Sequence, residues 1–534
     1  MSEEHTSTSR SKRVAIFGAG PSGIATAQYL LRHGAAVTVF ERHSDLGGQW
    51  DCDSPFSAVW PAMHTNTCSL TSRFSDLEHD ADMPMFPPNQ KIKQDMTRYV
   101  KMFSLLEHIY FQSEVVLVAH SKECNKDRGN WEVTWLNSDN KEHRAFFDSV
   151  VVATGRFSEP QLPEISGLAS FSGEGGVIHS QQYRGNDIFE GKRVVVAGSS
   201  TSGCEIASDI AMRSEKTIST VRHSRYVFQR IMRGIPAEYI NFTRYGALRS
   251  EVLSFQEDMD EFKEYIVSRC GTPDQYGGIA PADSVLEAGA TMSQEYLLFI
   301  AEDRITQKPW IRHIAGQTVY FDDGSKAENV DTVVLCTGYK IHLPFLSDEI
   351  RETLEPQSHH LPLAWFTMHP DLPELYFSGF GHPNGSMFLI AEQQARLIAY
   401  QICNVVPKLS KTMIKQAYKN YMAHPAIHGL LFVNRLAIQH ARLCGFEADI
   451  GAHPALARYL LFGPLTSATF RLTGIDALPD APTRIIREAG TYAQMTSPIL
   501  TATEKELLKD VAKRKNDSEF TALIQQIFRA QKKL

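Results

Sequence analysis

Apolar residues along the chain fall into short continuous runs and into longer stretches with a period near 3.6. Val14-Ala15-Ile16-Phe17 is a run of the first kind, and it breaks into Gly18-x-Gly20-x-x-Gly23. Behind it Ile24, Ala27, Leu30 and Leu31 give a helix one buried face, Gly34 is placed to stop that helix, and residues 35–40 form the next strand. Residues 114–118, 131–136 and 146–152 read as three strands of a β meander, the last two joined by the turn-rich stretch 137–141. Val252, Phe255, Met259, Phe262 and Ile266 recur at helical spacing among acidic residues, 271–278 is a loop, and 317–321 is a strand followed by the turn Asp322-Asp323-Gly324. Near the end, Phe520, Leu523, Ile524, Ile527 and Phe528 form an apolar stripe bordered by Arg529, Lys532 and Lys533, behind a Thr503-x-x-Glu506 capping box. That tail is expected to rest on the protein's own body or on a second subunit, which leaves a homodimer open, rather than on a membrane surface.

The pattern repeats. Asp148-Ser-Val-Val-Val-Ala-Thr-Gly155 recurs as Asp331-Thr-Val-Val-Leu-Cys-Thr-Gly338 at an offset of 183 residues, and the stretch 14–23 recurs as Val194-Val-Val-Ala-Gly198-Ser-Ser-Thr-Ser-Gly203 at an offset of 180. Two matches at nearly one offset predict two similar units in series, each opening with a glycine turn and closing with a strand that ends in Thr-Gly. The expected fold is α/β, with two Rossmann-like dinucleotide-binding domains, the second inserted into the first, and a helical C-terminal extension. The expected bounds are a disordered 1–12, the first domain over 13–160 and 331–488, the second over 161–330 with a helical insert at about 226–300, and a helical tail over 489–534.

The turns carry the chemistry. Gly18 permits the tight turn, Gly20 lets backbone approach a pyrophosphate, Gly23 allows close helix packing, and the phosphates sit at the helix N-terminus. Glu41 lies twenty-three residues after Gly18, near the spacing at which a carboxylate accepts bonds from ribose hydroxyls. In the second unit the matching place holds Val221-Arg222-His223-Ser224-Arg225, and a guanidinium there suits a 2′-phosphate. The first unit therefore takes FAD and the second NADPH, unless Arg222 and Arg225 are only a solvated surface pair. In the second turn Ser200 replaces a glycine, so its hydroxyl could add a phosphate contact. Gly47-Gly48-Gln49-Trp50 would again bring backbone close to a nucleotide or would be an ordinary loop, and the stretch 60–88, rich in aromatics, Met and Pro, suits a cover over a flat ligand.

Bulk numbers exclude more than they select. The 534 residues exceed one core, and a charge of −7, from 54 basic against 61 acidic side chains, gives no reason to expect nucleic acid or anionic membrane as the main partner. Eight cysteines, Cys124 among them, are scattered without a Cys-x-x-Cys pair, which argues against zinc, a disulfide framework or a redox dithiol and fits a reducing compartment. Residues 1–12 lack the apolar core of a signal peptide, and no window approaches a membrane span, so a cytoplasmic location without an integral membrane segment is expected.

With both turns placed, the chain resembles the flavin-containing monooxygenases, class B flavoprotein monooxygenases, from about residue 13 to about 487. The motifs are the first glycine turn, Glu41-Arg42, Gly47-Gly48-x-Trp50, Thr65-Asn66, Phe74-Ser75-Asp76, Ala153-Thr154-Gly155, the second turn, Thr337-Gly338-Tyr339, Glu392-x-Gln394-Ala395-Arg396, Ile450-Gly451-Ala452-His453-Pro454 and Phe462-Gly463-Pro464 through Gly474. The resemblance implies a cycle in which NADPH reduces FAD, the flavin captures O₂ as a C4a-hydroperoxide, and a soft nitrogen or sulfur nucleophile of a small-molecule substrate takes one oxygen atom. It makes Asn66 the catalytic residue, its amide donating a hydrogen bond in a dry pocket. The expected cofactor contacts are Gly18, Gly20, Pro21, Ser22, Gly23, Glu41, Arg42, Gly48, Gln49, Trp50, Thr65, Asn66, Thr154, Gly155, Ser199, Ser200, Thr201, Ser202, Arg222, Thr337, Gly338 and Gln394, with no metal ligand. The family's Phe-x-Gly-x-x-x-His-x-x-x-Tyr/Phe fingerprint departs here, because two extra residues separate Phe171-x-Gly173 from His179 and Tyr183. Tyr183 stands where the Baeyer-Villiger branch usually has tryptophan, which favours heteroatom oxidation. The rival functions are a Baeyer-Villiger monooxygenase acting on a ketone, an uncoupled NADPH oxidase, and a nucleotide-loaded sensor without turnover.

Overall fold

A computed structural model of the chain describes residues 10–121, 129–354, 360–381, 384–423, 432–492 and 495–532. Residues 1–9 of the expected disordered start, Cys124 and Lys533 lie outside the described residues. Two parallel five-stranded sheets dominate. The first runs in the order Leu375–Phe377, Ser149–Val152, Arg13–Phe17, Ala36–Phe40 and Ile109–Tyr110. The second runs Gly176–His179, Thr332–Leu335, Arg193–Ala197, Lys216–Val221 and Ile305–Pro309. Their central strands are buried on both faces, which is why they read as continuous apolar runs. The chain leaves the first sheet at Val152, builds the whole second sheet, and returns at Leu375 to pair with Ser149–Val152. The second unit is thus inserted into the first.

Matching details extend the echo. Arg13 N–H donates to Asp148 Oδ2 at 2.8 Å, and Arg193 N–H donates to Asp331 Oδ2 at 2.8 Å, so each closing strand is clipped to the start of its opening strand by the same carboxylate. Asp148 also corrects the expected meander. It divides 146–152 in two: Glu142–Phe147 pairs antiparallel with Trp131–Leu136, whereas Ser149–Val152 pairs parallel with Arg13–Phe17. The 330/331 boundary shifts for a related reason, since Thr332–Leu335 is hydrogen-bonded into the second sheet.

The insert holds a helix over Phe255–Cys270, which starts after Val252 because Ser254 and Glu257 form a reciprocal cap. The first unit's helix, Pro21–Arg32, packs on the long Met387–Ile402 helix, and between them several family motifs meet in one buried network. Arg471 donates to Tyr29 Oη at 2.7 Å and to Ser75 Oγ at 2.6 Å and pairs with Asp76 at 3.1 Å, while Tyr29 Oη donates to Glu392 at 2.9 Å. In the tail the capping box falls at Thr501 and Glu504 rather than at Thr503 and Glu506: Glu504 N–H donates to Thr501 Oγ1 at 3.1 Å and Thr501 N–H to Glu504 at 2.7 Å. Ile524 and Ile527 pack with Leu461, Leu500 and Leu508, and Lys515 reaches Glu251 at 2.9 Å, so the apolar stripe is spent on the chain's own body. Among the described residues no helix is long and apolar enough to cross a membrane.

Candidate functional site

Sterics define the first turn. A Cβ on Gly18, which has φ +104°, would lie 2.6 Å from Ala153 O, and one on Gly23 would lie 1.8 Å from Gly18 O. Gly20 faces Gly48, where an added Cβ would come within 3.0 Å of Gly20 Cα, and Gly47 N–H donates to Ala19 O at 3.1 Å. Two glycine backbones therefore lie side by side at the helix start. Gly20 offers no side-chain cap to the helix and Pro21 has no N–H to satisfy, so the first-turn donors, those of Ser22 and Gly23 included, are left to an anion. Glu41, nearly buried, accepts Ala19 N–H at 2.7 Å through one oxygen and His43 N–H at 2.8 Å through the other. Each oxygen keeps a further lone pair for a hydroxyl.

The second turn repeats this geometry. A Cβ on Gly198, φ +134°, would lie 2.2 Å from Cys336 O, and one on Gly203 would lie 2.1 Å from Gly198 O. Ser200 occupies the N-cap of Thr201–Ala211 yet makes no side-chain cap, whereas Ser254, Thr243, Ser386 and Thr501 all cap their helices. Its exposed hydroxyl is left for a ligand, as is that of exposed Ser202. Ser199 Oγ donates to His223 O at 2.9 Å, and Thr201 Oγ1 sits 3.4 Å from Thr291 Oγ1. Arg222 is exposed and stacks over Trp310 with its guanidinium carbon 4.5 Å from the ring centre. Arg225 does not pair with it. It is tucked beneath Gly289, and burial lowers its pKa. Both cradles, with uncapped helix starts and no room for a side chain, fit a dinucleotide phosphate.

Most of the other expected contacts also make contacts within the protein. Arg42 lies over the Phe56 ring at 3.4 Å, and Gln49 fastens the adjoining loop through Phe56 O at 3.1 Å and Ala58 N–H at 2.9 Å. The Trp50 ring centre is 6.1 Å from that of Phe388. Gln394 is consumed inside the protein: it accepts Gly379 N–H at 3.1 Å and donates to Phe366 O at 3.0 Å, holding Gly379 against Ser22. Thr337 Oγ1 donates to Gln161 O at 2.5 Å, and Gly338 O accepts Gln161 N–H at 2.9 Å and lies 3.1 Å from His179 Nε2. His179 is thereby a tie between an edge strand and the Thr-Gly turn, and the two extra residues before it lie in the approach to that strand. Thr154 is exposed beside Gly155, whose φ is +74°.

Asn66 lies in the stretch 60–88, which is folded back on itself by Thr65 N–H to Pro87 O at 2.8 Å and by Asn89 Nδ2 to Trp60 O at 3.1 Å and Pro61 O at 3.0 Å. Its carbonyl Oδ1 is buried and has no hydrogen-bond partner in the protein. Burial pushes the Glu205 carboxyl up to about 7, against the lowering effect of Arg230 and of Asn66. Glu238 of the insert, also buried and raised by burial, accepts Cys68 N–H and Thr71 Oγ1 and keeps Oε2 unpartnered. Neither acid was picked out from sequence, although Glu205 follows the second turn by only two residues.

Two serial glycine cradles on matched parallel sheets define a protein with two dinucleotide-binding units. A profile of the family described as Flavin-binding monooxygenase-like matches residues 11–515, and the chain belongs to that family. It is a monooxygenase that uses FAD and NADPH. It is 30% identical over 488 residues to Flavin-containing monooxygenase 1 of Homo sapiens, and 29% identical over 484 residues to Dimethylaniline monooxygenase (N-oxide-forming) 2 of Rattus norvegicus, with 87% of this chain and 89% of the relative covered in each case. The fold resembles S-allyl-L-cysteine S-oxygenase from Allium sativum, at TM-score 0.57 and 20% identity over 98% of this chain and 99% of that one. It also resembles an open structure of cyclohexanone monooxygenase, at TM-score 0.61 and 17% identity over 82% of this chain and 98% of that one.

Proposed function

We propose that the first unit holds FAD, the second holds NADPH, and the protein transfers one oxygen atom of O₂ to a soft nitrogen or sulfur of a small molecule. The observation that carries the reading is a contrast on matched scaffolds: Glu41 stands at the strand end of the first cradle, and Arg222, exposed over Trp310, at that of the second. Bound flavin, reduced by NADPH, supplies the activation of O₂, with one atom going to substrate and the other to water. The chain's residues bind and orient. Glu41 receives ribose hydroxyls, the Ser22 and Gly23 amides face the pyrophosphate, Ser200 and Ser202 meet the second pyrophosphate, and Arg222 meets the 2′-phosphate. Asn66, on the 60–88 cover, presents a buried polar group to the reacting region.

The names of the N-oxide-forming and S-oxygenase relatives support a heteroatom substrate. The likeness to cyclohexanone monooxygenase keeps ketone oxidation as the second reading, against which stands Tyr183 in the fingerprint. A panel of tertiary amines, sulfides and ketones, with NADPH, O₂, product and hydrogen peroxide all measured, decides between them. Heteroatom oxidation with NADPH and product in equal amounts is expected; lactone or ester product alone supports the second reading, and peroxide alone an oxidase. Asn66→Ala should keep its flavin but shift NADPH consumption from product to peroxide, and fully coupled turnover in that variant would remove Asn66 from the reaction. A cytoplasmic location, and a homodimer, belong to the same proposal.

A further inference from the structure

The strands Lys216–Val221 and Ile305–Pro309 run side by side in the second sheet, with Val221 opposite Pro309. The next residue on each, Arg222 and Trp310, therefore leave the sheet as neighbours, and the guanidinium carbon of Arg222 lies over the Trp310 ring, 4.5 Å from its centre. The ring is held and the cation is exposed. Trp310 packs, part-buried, on the apolar cluster that includes Ile311, Val319 and Phe321. Its backbone is tied on both sides, by Thr220 Oγ1 to Pro309 O at 2.5 Å and by Asp322 N–H to Trp310 O at 3.0 Å. Lys308 and Arg225, close by in the chain, are committed elsewhere: Lys308 pairs with Asp323 at 3.4 Å, and Arg225 is tucked beneath Gly289.

What holds an arginine decides what it can still bind. A carboxylate would fix the guanidinium, but it would occupy the fork of N–H donors and repel an incoming phosphate. The face of an indole attracts the cation through its π electrons and takes none of those donors as hydrogen bonds. An exposed arginine on a free stem also loses rotamer freedom when it closes on a ligand, and a platform that already restricts the stem removes part of that loss. We propose that Trp310 is a positioning residue for nicotinamide choice: it keeps the Arg222 guanidinium at the end of the second unit's strand with its donors unspent, so that a 2′-phosphate is met by a cation already in place. The register of the two strands sets the pair, because Val221 and Pro309 deliver the arginine and the ring to the same edge of the sheet. Selectivity for the phosphorylated coenzyme then depends on two residues, one that touches the phosphate and one that acts only through the first. This deepens the functional reading above and rests on it for the identity of the ligand.

The test compares two nucleotides that differ by the phosphate alone. Calorimetric titration of the oxidised holoenzyme with adenosine 2′,5′-bisphosphate and with 5′-AMP gives a ratio of affinities, which in the wild type should favour the bisphosphate. Trp310→Leu keeps an apolar side chain on the cluster but offers no aromatic face, and it should lower that ratio about two- to fivefold, the worth of one exposed cation–π contact. Trp310→Phe, which restores a ring, should recover most of the loss. In an Arg222→Ala background Trp310→Leu should change the ratio no further, because the ring acts through the arginine. In turnover the same Trp310→Leu change should appear in the KM for NADPH and not in kcat. An unaltered ratio in Trp310→Leu, or an equal fall with and without Arg222, overturns the proposal. A wild-type protein that binds both nucleotides but does not prefer the bisphosphate overturns instead the assignment of NADPH to the second unit, on which the proposal rests.

Discussion

The two dinucleotide units share a scaffold and differ in what is fastened behind it. In each, an aspartate clips the closing strand to the opening one, a first glycine lies against the carbonyl of the residue before Thr-Gly, and the last glycine lies on the first. Behind the first helix, Tyr29 is drawn into a buried ionic network with Glu392, Ser75, Asp76 and Arg471. The matching position of the second helix is Asp209, which accepts from Tyr183 Oη at 2.5 Å and from Asn186 at 3.0 Å, both between the edge strand Gly176–His179 and the strand Arg193–Ala197. Burial and the neighbouring Tyr29, Asp76 and Glu392 act in opposite senses on Arg471, and the neighbours win, holding its pKa above the ordinary value. The lesson is that one glycine turn is backed by a distant C-terminal segment and the other by the stretch of its own unit that precedes it. On the function proposed above, cofactor choice is made at the strand ends, by Glu41 or by Arg222.

The largest effects should come from the turns themselves. Gly23→Ala places a Cβ 1.8 Å from a backbone oxygen, and Gly203→Ala one at 2.1 Å, which no flexible neighbour can relieve. The first variant should be isolated without flavin, and the second yellow but not reduced by NADPH; loss of flavin in both, or in neither, would dissolve the distinction between the units. Next, Arg471→Ala leaves Glu392 buried without a cation and Asp76 with Arg32 alone, and should cost about 3–5 kcal/mol in the part of the unfolding transition that releases flavin, checked by flavin fluorescence during denaturation. Arg222→Ala should raise the KM for NADPH roughly 10- to 150-fold, the value of one charge-assisted phosphate contact, and leave that for NADH nearly unchanged. Smallest, Tyr183→Phe removes one bond to Asp209 and should cost about 1 kcal/mol, with flavin content unchanged.

What could be read from sequence was what acts locally. A glycine forced by a nearby carbonyl, a strand buried on both faces and a charge at a strand end each leave a mark within a few residues, and the repeat at offsets of 180 and 183 doubled those marks. The partners of those residues were less legible. Gln394 spends its amide on Gly379 and Phe366, and Arg471 joins motifs from both ends of the chain, both through tertiary contacts that spacing does not encode. The single strand expected over 146–152 failed because Asp148 ends one sheet and clips another, and an apolar run does not announce where it changes sheets. The tail's cap was displaced from Thr503 to Thr501 because both threonines precede a glutamate by three residues, and packing of Leu500 under the tail chose between them.

The division of labour between the units is tested most directly by anaerobic mixing of the purified protein with NADPH while the flavin absorbance is followed. The account expects a yellow protein whose colour bleaches on mixing, far faster with NADPH than with NADH at equal concentration. A colourless protein that takes up no FAD, or one reduced equally well by both nicotinamides, would contradict it.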